Sequence, residues 1–163
     1  MRGFAAAVLL AASLVGARAM AHAMPNSTVV VVSTRRGVDA AVVIPLSELD
    51  AALGHAASPE ADREDLEAYV RAHVSLVSAD GRVWPLSIRG MTATGDEHPA
   101  LSLRLAFARP AGAKGPATLR YDAVIHRIAS HYVLVYRRNW FGGLQPLTRL
   151  QFPQVIAPLA AGR

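Results

Sequence analysis

The sequence predicts a mainly β protein: an antiparallel β-sandwich of about seven strands with one α-helix. Apolar residues alternate with polar ones in several short segments, as in Leu101, Leu103, Leu105 and Phe107, which is typical of strands with one face in a core. Turn signals separate these segments at short intervals, and this spacing favours a two-layer β architecture. The 163 residues include no cysteine, so apolar burial has to stabilise the fold without disulfides.

The first residues have the pattern of an export signal. A basic residue precedes an uncharged apolar stretch, Phe4 to Val15, and the small residues of Ala19-Met20-Ala21 form a cleavage pattern. We expect removal of residues 1–21, which places the protein in the periplasm or elsewhere outside the cytoplasm and makes His22 the amino terminus. An uncleaved membrane anchor is the alternative, although the apolar stretch is short for a bilayer span. Other cleavage patterns are Ala17-Arg18-Ala19 and Ala21-His22-Ala23. Cleavage after Ala23 would remove His22.

The charge composition argues against nucleic-acid binding. Without residues 1–21 the chain carries 15 basic and 12 acidic residues, a net charge of +3, which is modest for a protein that contacts many phosphates. Residues 39–67 hold eight acidic side chains, whereas from Lys114 onward Asp122 is the only acidic residue. A basic carboxyl-terminal half can make peripheral contact with anionic lipid or bind an acidic partner. A merely solvated surface is the alternative.

A β-hairpin is predicted at the start of the exported chain. Thr28 to Ser33 is a β-branched run, and in Val38 to Ile44 one face of a strand would carry Val38, Ala40, Val42 and Ile44. Arg35-Arg36-Gly37 is the turn between them. Pro45 ends the second strand, because proline has no N–H to donate to a ladder.

Helical signals follow this hairpin. Leu46 to Leu53 predicts a short helical turn that ends at Gly54. Ser58 is the predicted N-cap of a helix over about residues 59–73, since Pro59 suits the first helical position and acidic residues suit the positive helix end. The apolar stripe of this helix contains residues at helical spacing: Leu66, Tyr69, Val70 and His73.

From Val74 the period of the apolar residues changes to two. Val74 to Ser78 and Arg82 to Ile88 flank a tight-turn signal at Asp80-Gly81. Further strands are predicted over 101–107, 118–127 and 131–138. Trp84 and Trp140 are expected to anchor the core. The β-sandwich domain therefore spans residues 22–151, and the apolar, proline-containing segment 152–163 is predicted to be a tail.

The histidines are the candidates for chemistry. His126 and His131 bracket a four-residue segment between two predicted strands. An even-length loop places both imidazoles on one side of the sheet, about 5–8 Å apart at Cβ, whereas an odd-length loop or a bulge separates them. At that Cβ separation two imidazoles can bind the same metal ion in a histidine-rich site. An amino-terminal His22 offers its α-amine and its imidazole as a further ligand.

Structural roles are the alternative for these histidines. His126 and His131 can also be half-buried side chains satisfied by the backbone or by neighbouring polar groups. His73 lies at the end of the predicted helix, where C-terminal capping accounts for it. His55 and His98 lie in polar loops and are expected to be exposed.

Catalytic motifs are missing from the sequence. There is no glycine-rich phosphate loop, no nucleophile elbow and no His-Glu-x-x-His. Ser130 precedes His131, but no acidic residue beside them is an obvious partner to orient the imidazole. We therefore expect that the protein is not an enzyme.

Several short motifs follow one another in order along the chain. They are His22 to Ser27, Pro45 to Leu49 before Ala52-Leu53-Gly54, Tyr69 with His73, Asp80-Gly81-Arg82 with Trp84, and Tyr121 to His126 followed by His131. Together they resemble the extracytoplasmic amino-terminal region of HupE/UreJ-like bacterial membrane proteins, over nearly all of the exported chain. The resemblance implies a periplasmic β domain of a kind that precedes a helical membrane domain, and related membrane domains are associated with nickel or cobalt uptake.

The sequence and the resemblance together predict an exported, non-enzymatic domain for metal uptake or delivery. It would bind one divalent transition-metal ion (nickel, copper or zinc) through His126 and His131, with His22 as a third ligand, and no organic cofactor. The chain reaches Arg163 without the helical membrane domain of that family, so the expected partner is a separately encoded membrane protein. A truncated gene product is one alternative, and a metal-free interaction module that docks onto a membrane protein is another.

Overall fold

The computed structural model describes residues 26–159, which form nine strands and two helices. The predicted signal and His22 lie outside the described residues. The helices are α1 (Leu46–Leu53) and α2 (Arg63–His73). The strands are β1 (Ser27–Thr34), β2 (Gly37–Pro45), β3 (Val74–Ser78), β4 (Leu86–Thr94), β5 (Ala100–Ala108), β6 (Ala117–Tyr121), β7 (Tyr132–Arg138), β8 (Leu144–Gln151) and β9 (Ile156–Leu159).

The strands are arranged in two sheets. The larger sheet has the order β4-β5-β2-β1-β7-β8, and the smaller sheet has the order β3-β6-β9. Neighbouring strands are antiparallel except for β1 and β7, which are parallel. One hydrophobic cluster joins the sheets, with Val42 and Leu103 from the larger and Leu76 and Leu119 from the smaller. The predicted mainly β sandwich is confirmed, with nine strands instead of about seven, two helices instead of one and one parallel pair among the antiparallel strands.

The predicted hairpin of β1 and β2 is present and supplies part of the core. Its alternation is confirmed, because Val42 and Ile44 are at most 1% exposed, whereas the intervening Val43 points away from the core at 38% exposure. Gly37 pairs with both Thr34 and Ala108. A Cβ atom at this position would collide with the backbone carbonyl oxygen of Phe107, so the close approach of β2 to β5 requires glycine here.

The two helices differ in how well their boundaries were predicted. Helix α1 ends as predicted at Gly54, whose left-handed φ of 81° closes the helix with a hydrogen bond to the Asp50 carbonyl. Helix α2 starts at Arg63, four residues later than the predicted start. The Asp62 carboxylate accepts the Ser58 N–H at 2.8 Å, and the Ser58 carbonyl accepts the Asp62 N–H at 2.8 Å. The segment 58–62 is therefore a closed turn that precedes the helix.

The predicted strand over 82–88 is divided between the two sheets. Val83 forms a single bridge with Val77, and the chain then crosses to the larger sheet, where β4 continues to Thr94. Pro85 stands at the crossing, where a residue without an N–H cannot continue the ladder. Trp84 anchors the crossing as predicted, since it is 6% exposed and its indole N–H donates to Ser78 Oγ at 2.6 Å.

The predicted strand over 118–127 is too long. It ends at Tyr121, and residues 122–131 form turns. The His126 N–H donates to the Asp122 carbonyl and the Ile128 N–H to the Val124 carbonyl, so local hydrogen bonds replace those of a ladder. Strands β6 and β7 belong to different sheets. The predicted hairpin that would pair His126 with His131 is therefore wrong.

The segment predicted as a tail contributes to the smaller sheet. Strand β9 pairs with β6, and its Ala157 is completely buried. Residues 156–159 thus belong to the fold. Within residues 26–159, neither helix has the length and apolar character that a bilayer span requires.

Candidate functional site

Three rings meet where α2 ends and the loop after β6 begins. We call Tyr69, His73 and His126 the ring cluster. The imidazoles of His73 and His126 are stacked, with centroids 4.0 Å apart and planes inclined by 16°. The Tyr69 ring lies 4.6 Å from His73 and 5.8 Å from His126. Tyr69 and His73 are four residues apart on one helix, which places them on the same face, and the loop brings His126 onto that face.

Asp122 contacts Nδ1 of both imidazoles. His73 Nδ1 lies 2.9 Å from Asp122 Oδ1, and His126 Nδ1 lies 3.1 Å from the Asp122 backbone oxygen. The Asp122 N–H in turn donates to the His73 carbonyl at 3.1 Å. A carbonyl or an ionised carboxylate only accepts hydrogen bonds, so the hydrogen of each neutral ring is on Nδ1. The lone pair of each neutral ring is then on Nε2.

The loop that carries His126 has a strained backbone. Val124 has a φ of 65°, a left-handed conformation that is rare and costly for a β-branched residue. The fully buried Val124 donates its N–H to the Tyr69 hydroxyl at 2.8 Å. The helix that supplies His73 therefore also fixes the loop that supplies His126.

The protonation state of His126 suits binding to a Lewis acid. Desolvation lowers the pKa of His126 below its ordinary value, the hydrogen bond to Asp122 opposes this, and the charge of a protonated His73 would lower it further. His126 is accordingly neutral near pH 7. The His73 and Asp122 side chains are 21% and 29% exposed, and His126 is exposed, so an ion in solvent can reach the pair.

His131 has different neighbours from His126. Its side chain is buried at 1% residue exposure, with Nε2 2.9 Å from Ser27 Oγ and Nδ1 3.4 Å from Glu48 Oε2. Burial lowers the pKa of His131 and outweighs the opposing effect of the Glu48 carboxylate. The buried phenol of Tyr121 also lies beside Ser27, and burial raises the pKa of Tyr121 well above its usual range.

Ser27, His131 and Glu48 repeat the hydroxyl–imidazole–carboxylate order of a serine hydrolase triad. Their burial argues against that role, because Ser27 is 0% exposed and a substrate carbonyl has no route to its Oγ. Two surface cavities of about 390 and 430 Å³ are lined by other residues and include none of these three side chains. The three side chains are best described as a buried polar network that ties β1, α1 and the start of β7 together.

The structure brings together a different pair of histidines from the predicted one. His126 belongs to the ring cluster, whereas His131 is in the buried network and His22 is outside the described residues. The sequence assigned His73 to helix capping and so missed it. His55 and His98 are exposed as predicted. No group of three or more His, Cys, Asp or Glu side chains in residues 26–159 could hold a metal ion, so the described part of the chain offers two imidazoles.

No protein-family model and no curated protein matches this chain. The resemblance to HupE/UreJ-like proteins therefore stays a prediction.

Proposed function

We propose that this chain is an exported, non-enzymatic domain that binds a divalent transition-metal ion through Nε2 of His73 and His126, in metal uptake or delivery. One observation carries the proposal: Asp122 engages Nδ1 of both stacked rings. Metal-binding histidines commonly donate their second ring nitrogen to a carboxylate or carbonyl in this way. These hydrogen bonds favour the tautomer that a metal ion needs, with the lone pair of each neutral ring on Nε2.

The stacked rings must reorient before both can bind one ion. A metal–nitrogen bond of about 2.0–2.1 Å lies in the plane of the imidazole, whereas the two rings stack with centroids 4.0 Å apart and planes inclined by 16°. Binding therefore requires the exposed His126 ring to rotate out of the stack, so that both Nε2 atoms are directed at the same ion. Neutral imidazoles suit nickel, copper and zinc.

Two protein ligands leave coordination positions for water or for a group from a partner. Such an incomplete site suits transfer of the ion, because a second protein can add ligands before the first releases it. The expected partner is a separately encoded membrane protein. His22 stays a predicted additional ligand. His131 has no place in this proposal, because it is buried and its Nε2 is occupied by Ser27.

The test is metal titration followed by thermal and denaturant unfolding. Zinc, nickel or copper at a hundred times its dissociation constant should stabilise the protein by about 2.7 kcal/mol. His73→Ala and His126→Ala should each abolish the gain. Asp122→Asn should weaken binding by about 10–100-fold, since it replaces the carboxylate that orients His73, although the backbone carbonyl that orients His126 is kept.

Two control variants separate the ring cluster from other histidines. His55→Ala changes an exposed loop residue, and metal should stabilise this variant as much as the wild type. His131→Ala should destabilise the metal-free protein yet keep the increment that metal adds. The proposal fails if no metal moves the melting temperature, or if His126→Ala retains the gain while His131→Ala loses it.

A metal-free interaction module is the second candidate. The exposed aromatic pair Trp140 and Phe141 supports a binding role that needs no metal ion, because both side chains are 93% exposed. If metal titration leaves the protein unchanged, this function becomes the leading one.

A further inference from the structure

The turn between β7 and β8 exposes two large aromatic side chains. We call Trp140 and Phe141 the aromatic tip; each is 93% exposed, and the nearby Leu144 is 52% exposed. The expectation that Trp140 anchors the core is wrong. Adjacent apolar side chains that remain this exposed usually mark a binding surface.

The tip is held outward by an ordered turn. The Asn139 N–H donates to the Gly143 carbonyl at 2.9 Å, and the Gly142 N–H donates to the Asn139 carbonyl at 3.1 Å. The Gly143 N–H donates to Asn139 Oδ1 at 2.8 Å. Gly142 has a φ of 83°, which glycine adopts without strain. The exposure of both rings is thus a consequence of the turn geometry.

Strand register gathers arginines at the same end of the larger sheet. Because β1 is parallel to β7, with Val31 opposite Arg137, the β1–β2 turn lies at the end where the tip lies. The connector after β5 lies at this end too, since the Arg109 N–H donates to the Arg36 carbonyl in the β1–β2 turn at 2.9 Å. We call this the basic end; its exposed arginines are Arg35, Arg36, Arg109 and Arg138.

The acidic side chains nearest to the basic end already have basic partners. Asp80 lies 3.4 Å from Arg82, and Asp39 lies 4.0 Å from Arg89. The exposed turn with Asp96 and Glu97 lies at the opposite end, because β4 and β5 meet there through Thr94 and Ala100. Arginines therefore outnumber acidic side chains at the end of the sheet that carries the aromatic tip.

We propose that the aromatic tip inserts into the interface of an anionic lipid bilayer while the basic end contacts the headgroups. Tryptophan is enriched at the boundary between headgroups and acyl chains, phenylalanine also occurs on surfaces that enter this boundary, and arginines near an anionic surface add attraction. A protein partner is less suitable, because two rings bury about 300–500 Å² against about 800 Å² per side in a standard protein interface. This inference does not depend on the metal site.

The test measures binding of the purified protein to vesicles of phosphatidylcholine with 30% phosphatidylglycerol. Intact mass should first show that all variants share one amino terminus, so that an apolar signal cannot account for a difference. Trp140→Ala/Phe141→Ala should bind at least about tenfold more weakly. Arg35→Gln and Arg36→Gln should each weaken binding by about fivefold. Their melting temperatures should stay unchanged, since all four side chains are exposed.

Matched controls lie at the other end of the larger sheet. Phe152→Ala removes a 65% exposed aromatic side chain next to Gln151, which pairs with Tyr132, and should bind like the wild type. Arg127→Gln, in the loop before β7, should also bind like the wild type. Acrylamide quenching gives a second readout: vesicles should protect Trp140, while the buried Trp84 is unaffected.

Three results would overturn the proposal. The first is no binding of the wild type to anionic vesicles at low salt, which would direct attention to a protein partner. The second is equal binding to vesicles of phosphatidylcholine alone, which would remove the role of the basic end. The third is an equal loss of binding in Phe152→Ala and in the tip variant.

Discussion

Replacing Tyr69 by Phe tests the connection between the fold and the ring cluster. The substitution removes one hydroxyl and keeps the aromatic ring beside His73 and His126. That hydroxyl accepts the N–H of Val124 at 2.8 Å. Val124 is 0% exposed and has a φ of 65°, so its N–H loses its partner and the strained conformation loses a restraint.

The magnitude follows from the buried N–H. Leaving a buried donor without a partner costs about 1–3 kcal/mol, and the ring contacts of Tyr69 are retained. The free energy of unfolding should therefore fall by this amount in urea titrations. Metal affinity should also fall, by about tenfold, because the loop that positions His126 is less well fixed.

Tyr136→Phe is a matched control on β7, away from the loop. It should change the free energy of unfolding by less than about 0.5 kcal/mol, as expected for a surface substitution, and should leave metal affinity unchanged. If Tyr69→Phe behaves like Tyr136→Phe in both measurements, the hydrogen bond to Val124 has no part in stabilising the loop, and our account of the site is wrong.

Three further predictions concern the core, pH and the amino terminus. Leu103→Ala should lower the free energy of unfolding by about 2–5 kcal/mol, since Leu103 is fully buried; a cost below 1 kcal/mol in urea titrations would contradict its place in the core. Because burial lowers the pKa of His131 from its ordinary 6.5, the unfolded chain binds more protons below that pH. Stability should accordingly fall on acidification from pH 6.5, by at most about 1.4 kcal/mol per pH unit for this one group; His131→Gln should reduce that slope, and an unchanged slope would exclude His131 as its source. Mass spectrometry of the exported protein should find His22 at the amino terminus, whereas a start at Met24 would remove the predicted amine–imidazole ligand.

Local patterns were sufficient to predict most strands. The alternation of β2 and β5 and the turn glycines gave the hairpin, the core faces and the end of α1. The crossing of the chain between sheets at Pro85 was not predictable in the same way, because Arg82 to Ile88 has one continuous alternating pattern. Similarly, the segment 118–127 has the pattern of one strand, although the strand ends at Tyr121 and the chain then turns through the left-handed Val124.

The ring cluster depends on contacts between distant segments. Tyr69 and His73 stood at helical spacing in the sequence, and Asp122 and His126 stood four residues apart. Nothing local indicates that the end of α2 faces the loop after β6. The pairing of β3 with β6, with Val74 opposite Tyr121, creates that contact. The network of Ser27, Glu48 and His131 was not predictable from the sequence for the same reason, because its members come from distant segments.

Nuclear magnetic resonance of the histidine side chains during zinc titration tests the metal site most directly. We predict that one equivalent of zinc shifts the Nε2 resonances of His73 and His126 together. Those of His55, His98 and the buried His131 should stay in place. Movement of His131 with His126, or no movement of His73, would contradict the assignment of the ring cluster as the metal site.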